Sequence, residues 1–358
     1  MKIVLATGGT GGHIYPALAL ADHLKSHNDI LFIGSDNRME SRIIPDKGYD
    51  FVGLELTSFE GSFFQRLNFM PLMRACYKEC IDLFKKEKVD VVIGFGNYIT
   101  VPVVLAAKKL NIPVLLHEQN SIAGKANLFL KKYSKGIITC YEKTAEQFKD
   151  SNVYLYGNPR SSIVDSSRLN NDYLKELGLK ENVYTICIVM GSLGSASVNE
   201  LMYDVLKEMR YLSYQVLYVS GQRHYDKFKE RFEESDNVKV VPYCDLLRLY
   251  NSIDLLVCRS GATTLAEICA FGKCSILIPS PYVPNNHQYF NAKELVDKEA
   301  ALMIEEKDFS STKFIDLVKL IGDDKELQIK MKNNALKLAH HDANSKIEEL
   351  IEKIVGEK

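Results

Sequence analysis

The run Gly8-Gly9-Thr10-Gly11-Gly12-His13 crowds unshielded backbone N–H groups and an imidazole into one short loop. It follows the apolar run Lys2–Ala6 and precedes an amphipathic stretch, Ile14–His27, so it reads as a strand–loop–helix junction. Glycines let a backbone approach a ligand closely, and a helix N-terminus offers N–H groups and positive dipole to an anion or an oxyanion. His13, at the mouth of that helix, can accept a proton near neutral pH, which is general-base chemistry. A structural reading of a lone histidine stands beside the catalytic one. The glycine spacing departs from the G-x-G-x-x-G dinucleotide fingerprint, although Asp36, closing the next strand-like run, could hold a ribose. A nicotinamide-dependent oxidoreductase therefore stays among the readings.

Further polar loops recur at the ends of apolar runs. Phe95-Gly96-Asn97-Tyr98 follows Val89–Ile93, and His117-Glu118-Gln119-Asn120 follows Pro113–Leu116. The latter lacks the second histidine of H-E-x-x-H, so it is no zinc motif. Gly191-Ser192-Leu193-Gly194-Ser195 could cradle a phosphate through backbone N–H groups, without the G-K-[ST] ending of a P-loop. Arg259-Ser260-Gly261-Ala262-Thr263-Thr264-Leu265-Ala266-Glu267 is another strand–loop–helix junction, suited to a diphosphate, with Glu267 a turn further in and able to take two sugar hydroxyls. Asn286–Asn291 adds amides of similar use. A capped turn explains any one of these alone; together they put polar loops on the ends of two sheets. Ser58–Lys88 mixes Phe63, Phe64, Leu67, Phe69, Met70, Leu72 and Met73 with Arg66, Arg74, Lys78, Lys85 and Lys86. That mixture suits an anionic membrane surface, and equally a packed helix with a solvated basic face.

The elements that must position these loops alternate. Strands are expected at Lys2–Ala6, Ile30–Ile33, Val89–Ile93, Pro113–Leu116, Gly136–Thr139 and Val153–Tyr156, with helices between most of them. Gly157–Asn171, rich in Ser and Asn, reads as a linker. The alternation restarts at Val183–Met190 and continues through Gln215–Val219, Val238–Val241, Asp254–Cys258, Cys274–Pro279 and Ala301–Ile304. Such alternation predicts parallel sheets with helices on both faces. The helical Ile329–Val355 either closes the second half or crosses back to the first. A length of 358 residues fits two domains, and 46% hydrophobic with 25% charged residues excludes a disordered chain. A net charge of −1 leaves no global footprint for nucleic acid. The long uncharged runs are broken by Gly, Pro, Asn and His, so none reads as a membrane span. The N-terminal apolar run is too short for a signal peptide, which argues against export. Eight cysteines without a C-x-x-C pair read as reduced, buried thiols of a cytosolic protein.

Taken in order, Gly8–His13 with Ile14-Tyr15-Pro16, then His117–Asn120, Gly157-Asn158-Pro159, and Ser260–Glu267 with Gln288–Ala292 resemble the MurG family of N-acetylglucosaminyltransferases of bacterial peptidoglycan synthesis. The resemblance runs along essentially the whole chain. It implies an α/β GT-B fold, two Rossmann-like domains with parallel sheets facing across a deep cleft. Residues 1–160 would bind acceptor and membrane, with 340–358 packing back on them, and 161–339 would bind UDP-GlcNAc. The reaction implied is inverting transfer of GlcNAc from UDP-GlcNAc to the C4 hydroxyl of MurNAc in lipid I, undecaprenyl-pyrophosphoryl-MurNAc-pentapeptide, giving lipid II and UDP. No cofactor is required, and Mg²⁺ assists loosely at most; no metal site is expected. The resemblance also implies a peripheral place on the cytoplasmic face of the cell membrane. Ser58–Lys88 would meet an anionic surface there, and other cell-wall synthesis proteins would be partners.

By motif, His13 matches the family's general base, and Thr10, Gly11, Gly12 and Asn120 match positions lining the acceptor and sugar side. Ser192 matches a serine near the diphosphate. Ala262, Thr263, Thr264, Leu265 and Ala266 match the donor-binding helix start, Glu267 the ribose partner, and Gln288 an amide on the GlcNAc. The uracil-contacting backbone falls at Tyr243 or Cys244. Two positions depart from the pattern: Met190 stands where a Gly-Gly-Ser loop begins, and Arg160 follows Pro159 one residue early for the family arginine. A UDP-GlcNAc 2-epimerase, another GT-B lipid glycosyltransferase and a non-catalytic sugar-nucleotide binder are the remaining alternatives.

Overall fold

Short β-branched runs separated by helices can join one sheet only through right-handed crossovers, which makes their pairing parallel. The computed structural model, which describes residues 1–56, 63–163, 172–190 and 196–357 (backbone alone for 63–68, 172 and 196), has this arrangement twice. The chain divides into two units, Met1–Ile163 with His340–Lys358, and Val164–Ala339.

The first unit runs β1 (Lys2–Ala6), α1 (Gly11–Leu24), β2 (Asp29–Ser35), α2 (Glu40–Asp46), β3 (Asp50–Leu54), α3 (Phe63–Glu87), β4 (Val91–Gly94), α4 (Thr100–Lys109), β5 (Val114–Glu118), α5 (Lys125–Leu130), β6 (Gly136–Thr139), α6 (Glu142–Glu146) and β7 (Val153–Leu155). Its sheet has the order β3-β2-β1-β4-β5-β6-β7. The second unit runs α7 (Asp172–Glu176), β8 (Thr185–Val189), α8 (Ala196–Met209), β9 (Gln215–Val219), α9 (Tyr225–Arg231), β10 (Val238–Val241), α10 (Leu246–Leu249), β11 (Leu255–Cys258), α11 (Ala262–Phe271), β12 (Cys274–Leu277), α12 (His287–Val296), β13 (Leu302–Met303), α13 (Ser311–Asp323) and α14 (Lys325–Lys337). Its sheet has the order β10-β9-β8-β11-β12-β13. The last helix, α15 (Ala343–Gly356), belongs to the first unit.

A strand buried on both faces can be apolar throughout. β1 does this: Val4 and Ala6 face α3 and α4, with Cys76, Cys80, Phe84, Val103 and Ala107, while Ile3 and Leu5 face α1 and α15. Ile347, Leu350, Ile351 and Ile354 of α15 are all buried there. At ~1.5–3 kcal/mol for each fully buried aliphatic side chain, this face alone ties the C-terminus to the first unit. The second unit repeats the arrangement, with Ile186 and Ile188 of β8 toward α8 and α13 and Cys187 toward α10 and α11.

Four expectations need correction. The first helix starts at Gly11, so Gly11, Gly12 and His13 lie inside it. The expected helix Ile329–Val355 is two helices, broken over 338–342 where the chain passes from one unit to the other. The expected linker Gly157–Asn171 does contain the boundary between the units, after Ile163, but its described part carries local structure of its own. A 3₁₀ turn at Pro159–Ser162 is capped by Asn158, whose Oδ1 accepts from Arg160 N–H, and Ser162 Oγ accepts from Asn344 N–H at 3.1 Å. Gly157, at φ +83°, is required there, because a Cβ would come within 2.4 Å of His340. Finally, α2 and β3 were not expected: Pro45 interrupts the helical pattern of the first, and the second is a half-buried edge strand with little alternation.

Candidate active site

In both sheets the strand order reverses direction beside the first strand, between β1 and β4 and between β8 and β11. Ligands of open α/β sheets bind at such switch points, outside the carboxyl ends of the strands. In the first unit the loops after β1 and β4 therefore touch. Asn97 Nδ2 donates to Gly8 O at 2.9 Å, and its Oδ1 accepts from Tyr98 N–H at 2.6 Å. From below, buried Glu40 accepts Gly9 N–H at 3.1 Å and Ser35 N–H at 3.1 Å. A carboxylate on the loop's own N–H would repel a pyrophosphate, which counts against the dinucleotide reading.

Thr10 is the N-cap residue of α1, yet its hydroxyl does not cap the helix; it lies 3.0 Å from His13 Nδ1. When Nδ1–H donates to Thr10, the Nε2 lone pair becomes the proton acceptor. The ring lies over Gly96, where a Cβ would stand 3.3 Å from His13 Cδ2 and 3.5 Å from Asn127 Nδ2. Gly96 has φ +87°, so glycine is needed there for conformation as well as space. Asn127, which the sequence reading missed, also borders Gly96 and is tied to the His117–Asn120 loop. Its Nδ2 donates to Glu118 Oε2 at 2.9 Å and to His117 O at 3.1 Å. Glu118 is buried and also accepts N–H from Gly124 and Asn120, so it organises the loop that presents half-buried Asn120. Burial pushes the Glu118 carboxyl up, against the pull of these donors. Burial likewise holds the His117 imidazole down at about 4, with Nε2 3.1 Å from Gly157 O. The Arg160 guanidinium stands 5.7 Å from the Tyr15 ring of α1. Thr10, Gly11, Gly12 and His13 are thus collected on α1 and its N-terminus, and Arg160, from the 3₁₀ turn Pro159–Ser162, stands beside α1 at Tyr15.

In the second unit, Ser192 and its glycine loop lie outside the described residues. Ala262–Glu267 form the first turns of α11. The first N–H groups of a helix have no partner within it, and here buried hydroxyls of Ser260 and Thr263 also lack hydrogen-bond partners. Ala262 and Leu265 are buried, Leu265 in the core, so these two can serve a ligand only through backbone. Before the helix, Arg259 is ion-paired with Glu306 and donates from Nη1 to Ile278 O, which fixes the turn leading into α11. Glu267 is buried and accepts from the Tyr250 hydroxyl at 2.9 Å. Cys244 packs in the core while Tyr243 is 63% exposed, and Tyr173 OH accepts Asp245 N–H at 2.9 Å to hold this loop. Gln288 Oε1 accepts Ser280 N–H at 2.8 Å, across a loop in which Asn285 and Asn286 both adopt positive φ.

The Ser58–Lys88 segment divides. Residues 58–62 and the side chains of Phe63, Phe64, Arg66 and Leu67 lie outside the described residues. Phe69, Leu72 and Met73 are half-buried and pack against the first unit's core, while Met70 is 56% exposed. Sequence reading passed over α5, which neighbours α4 as α4 neighbours α3. Leu128 and Phe129 are exposed on it, with Lys132 Nζ 5.7 Å from the Phe129 ring. Only the burial of Asn127 and Leu130 on the opposite side reveals that outward face. Among the described residues no helix is long and apolar enough to cross a membrane.

Two parallel-sheet, Rossmann-like units with polar loops at the carboxyl ends of their strands are the two halves of a GT-B fold. The glycosyltransferase family 28 N-terminal domain matches residues 3–139 and the family's C-terminal domain matches 185–351. A UDP-N-acetylglucosamine--N-acetylmuramyl-(pentapeptide) pyrophosphoryl-undecaprenol N-acetylglucosamine transferase of Bacillus thuringiensis is 38% identical over 99% of this chain and 100% of its own. The crystal structure of Acinetobacter baumannii MurG superposes with a TM-score of 0.77 at 26% identity, covering 98% of this chain and 99% of that one. A UDP-GlcNAc 2-epimerase from Neisseria meningitidis, bound to UDP-GlcNAc, shares the fold at 14% identity and a TM-score of 0.70, covering 99% of this chain and 100% of that one. The chain belongs to the MurG family of glycosyltransferase family 28.

Proposed function

We propose that the protein transfers GlcNAc from UDP-GlcNAc to the C4 hydroxyl of the MurNAc residue in lipid I, with inversion, forming lipid II and UDP. What carries this reading is the end-to-end relationship at 38% identity to transferases named for that reaction. The site's chemistry supports it residue by residue. The acceptor oxygen attacks the anomeric carbon, its proton passes to His13 Nε2, and the bond to the diphosphate breaks with its electron pair leaving on UDP. With Thr10 accepting from Nδ1–H, Nε2 is left as the proton acceptor. Gly11, Gly12 and Asn120 bind the acceptor side, and Arg160 on the α1 face adds positive charge there. On the second unit, the N-terminus of α11, with the unpartnered Ser260 and Thr263 hydroxyls, takes the diphosphate as its charge grows, helped by Ser192. Glu267 takes the ribose, the backbone at Cys244 the uracil, and Gln288 the GlcNAc. In this reading the leaving group is stabilised by backbone and dipole, so no resident cofactor is required and Mg²⁺ assists loosely at most.

The acceptor carries a polyprenyl tail, so the enzyme works at a membrane surface. Met70, Leu128 and Phe129, with Lys131 and Lys132 beside them, suit peripheral docking on anionic lipid at the cytoplasmic face. Radiolabelled UDP-GlcNAc with a short-chain lipid I analogue tests the reaction. Label should move to the lipid only when acceptor is present. Label appearing as ManNAc without acceptor would make the protein an epimerase.

A further inference from the structure

Glu267 and Phe271 stand four residues apart on α11, so they share one face of that helix. Tyr250, delivered by the 3₁₀ turn Tyr250–Ser252 ahead of β11, lies across that face. Its ring stacks on Phe271 with centroids 4.6 Å apart and planes 5° from parallel, and its hydroxyl reaches Glu267 Oε2 at 2.9 Å. Tyr250 is fully buried and Glu267 is 5% exposed. We propose that Tyr250 is a positioning residue for the donor's ribose: by donating to Glu267 Oε2 it fixes the rotation of the carboxylate that meets the sugar's cis-diol. This rests on the reading of Glu267 as the ribose partner and adds a residue to it.

A carboxylate accepts through two oxygens with two lone pairs each, and a vicinal diol needs two of those lone pairs in one plane. An unrestrained carboxylate would lose that alignment by rotating about its last side-chain bond. The Tyr250 ring cannot follow, because it is fully buried in the core, so its hydroxyl stays directed at Oε2. Burial sharpens the consequence. A ligand lacking one hydroxyl leaves an oriented, dehydrated lone pair unmet, and sites built in this way reject the deoxy analogue strongly. Tyr250 therefore serves discrimination between ribo- and deoxyribonucleotides, not the chemical step.

Calorimetric titration of UDP and 2′-deoxy-UDP into the intact protein tests this, with donor KM, kcat and Tm measured alongside. Tyr250→Phe should weaken UDP about five- to tenfold and 2′-deoxy-UDP less than about twofold, raising donor KM while kcat holds. In a Glu267→Ala background, the added Tyr250→Phe should change neither affinity. Phe271→Leu, which removes the stacked ring and keeps the hydroxyl, should retain the wild-type ratio of the two affinities. Three results would overturn the proposal: a wild-type ratio in Tyr250→Phe, losses that multiply in the double variant, or the same collapse of the ratio in Phe271→Leu. If Glu267→Ala itself keeps the wild-type ratio, the ribose reading of Glu267 fails as well. A collapse in Glu267→Ala beside a normal Tyr250→Phe removes only the role of Tyr250.

Discussion

His13 is held from several sides before any substrate arrives: Thr10 at Nδ1, Gly96 beneath the ring, and the turn of α1 behind it. Removing a positioned base typically costs ~10²–10⁴ in rate. His13→Ala should therefore lose at least ~10² in kcat and leave UDP affinity unchanged, since the proposed donor groups lie on the second unit. A loss confined to acceptor KM would make His13 a binding residue. Glu118, the nearby buried carboxyl, is committed to the loop it holds and does not substitute for it. His117 carries a different consequence. Its value of about 4 in the fold lies below the ordinary 6.5, because burial disfavours the charged ring. Above pH 6.5 the ring is neutral in both folded and unfolded chains and imposes no penalty. As pH falls from 6.5 toward 4, the unfolded chain takes up the proton first, and stability declines by up to about 3 kcal/mol. Urea unfolding of the first unit at several pH values across this window should show that slope, and His117→Gln should flatten it. An unchanged slope in the variant would move the effect to another group.

The loops that matter are positioned by pairs of elements. β1 and β4 are adjacent, so the glycine loop and the Gly96 loop meet, and Asn97 and Glu40 lock the first of them from two directions. Gly96→Ala should show what that meeting does. A methyl there needs φ +87° and stands 3.3 Å from the His13 ring, so the ring must shift. A misplacement of this kind should lower kcat at least about tenfold with UDP binding intact, as steady-state kinetics beside calorimetry would record. Unaltered kcat would mean that the ring's position has slack. Much of this was legible in sequence, because β1, α1 and the loop between them follow one another without interruption. The supports were not. Glu40 and Asn97 act on a loop 31 and 89 residues away in the chain, and nothing in their neighbours hints at it. Tyr250 lies outside every motif, 17 residues before the carboxylate it meets. β3 escaped notice because an edge strand shielded on one side needs little alternation. The outward face of α5 exists only once the core has claimed Leu130 and Asn127.

The two units repeat one strand order and, in the proposed reading, divide the work, the first carrying the proposed base and the proposed lipid-docking surface, the second the proposed donor groups. If α5 docks on lipid, Phe129→Ser with Lys132→Glu should weaken binding to phosphatidylglycerol vesicles about tenfold or more, and activity on a water-soluble acceptor should stay within about twofold. Equal vesicle binding by the variant would clear α5 of that role. The repeat of strand order was readable from alternation alone, while the return of α15 to the first unit depended on contacts with α1 that no local pattern announces. Inversion means a single displacement on UDP-GlcNAc, the acceptor hydroxyl attacking the anomeric carbon opposite the leaving diphosphate. It is tested most directly by the configuration of the product. Incubated with the α-linked donor and a lipid I analogue, the protein should give a β-(1→4)-linked GlcNAc–MurNAc disaccharide and one UDP per disaccharide, read by proton NMR of the anomeric coupling. An α-linked product, or UDP released without a disaccharide, would contradict the account.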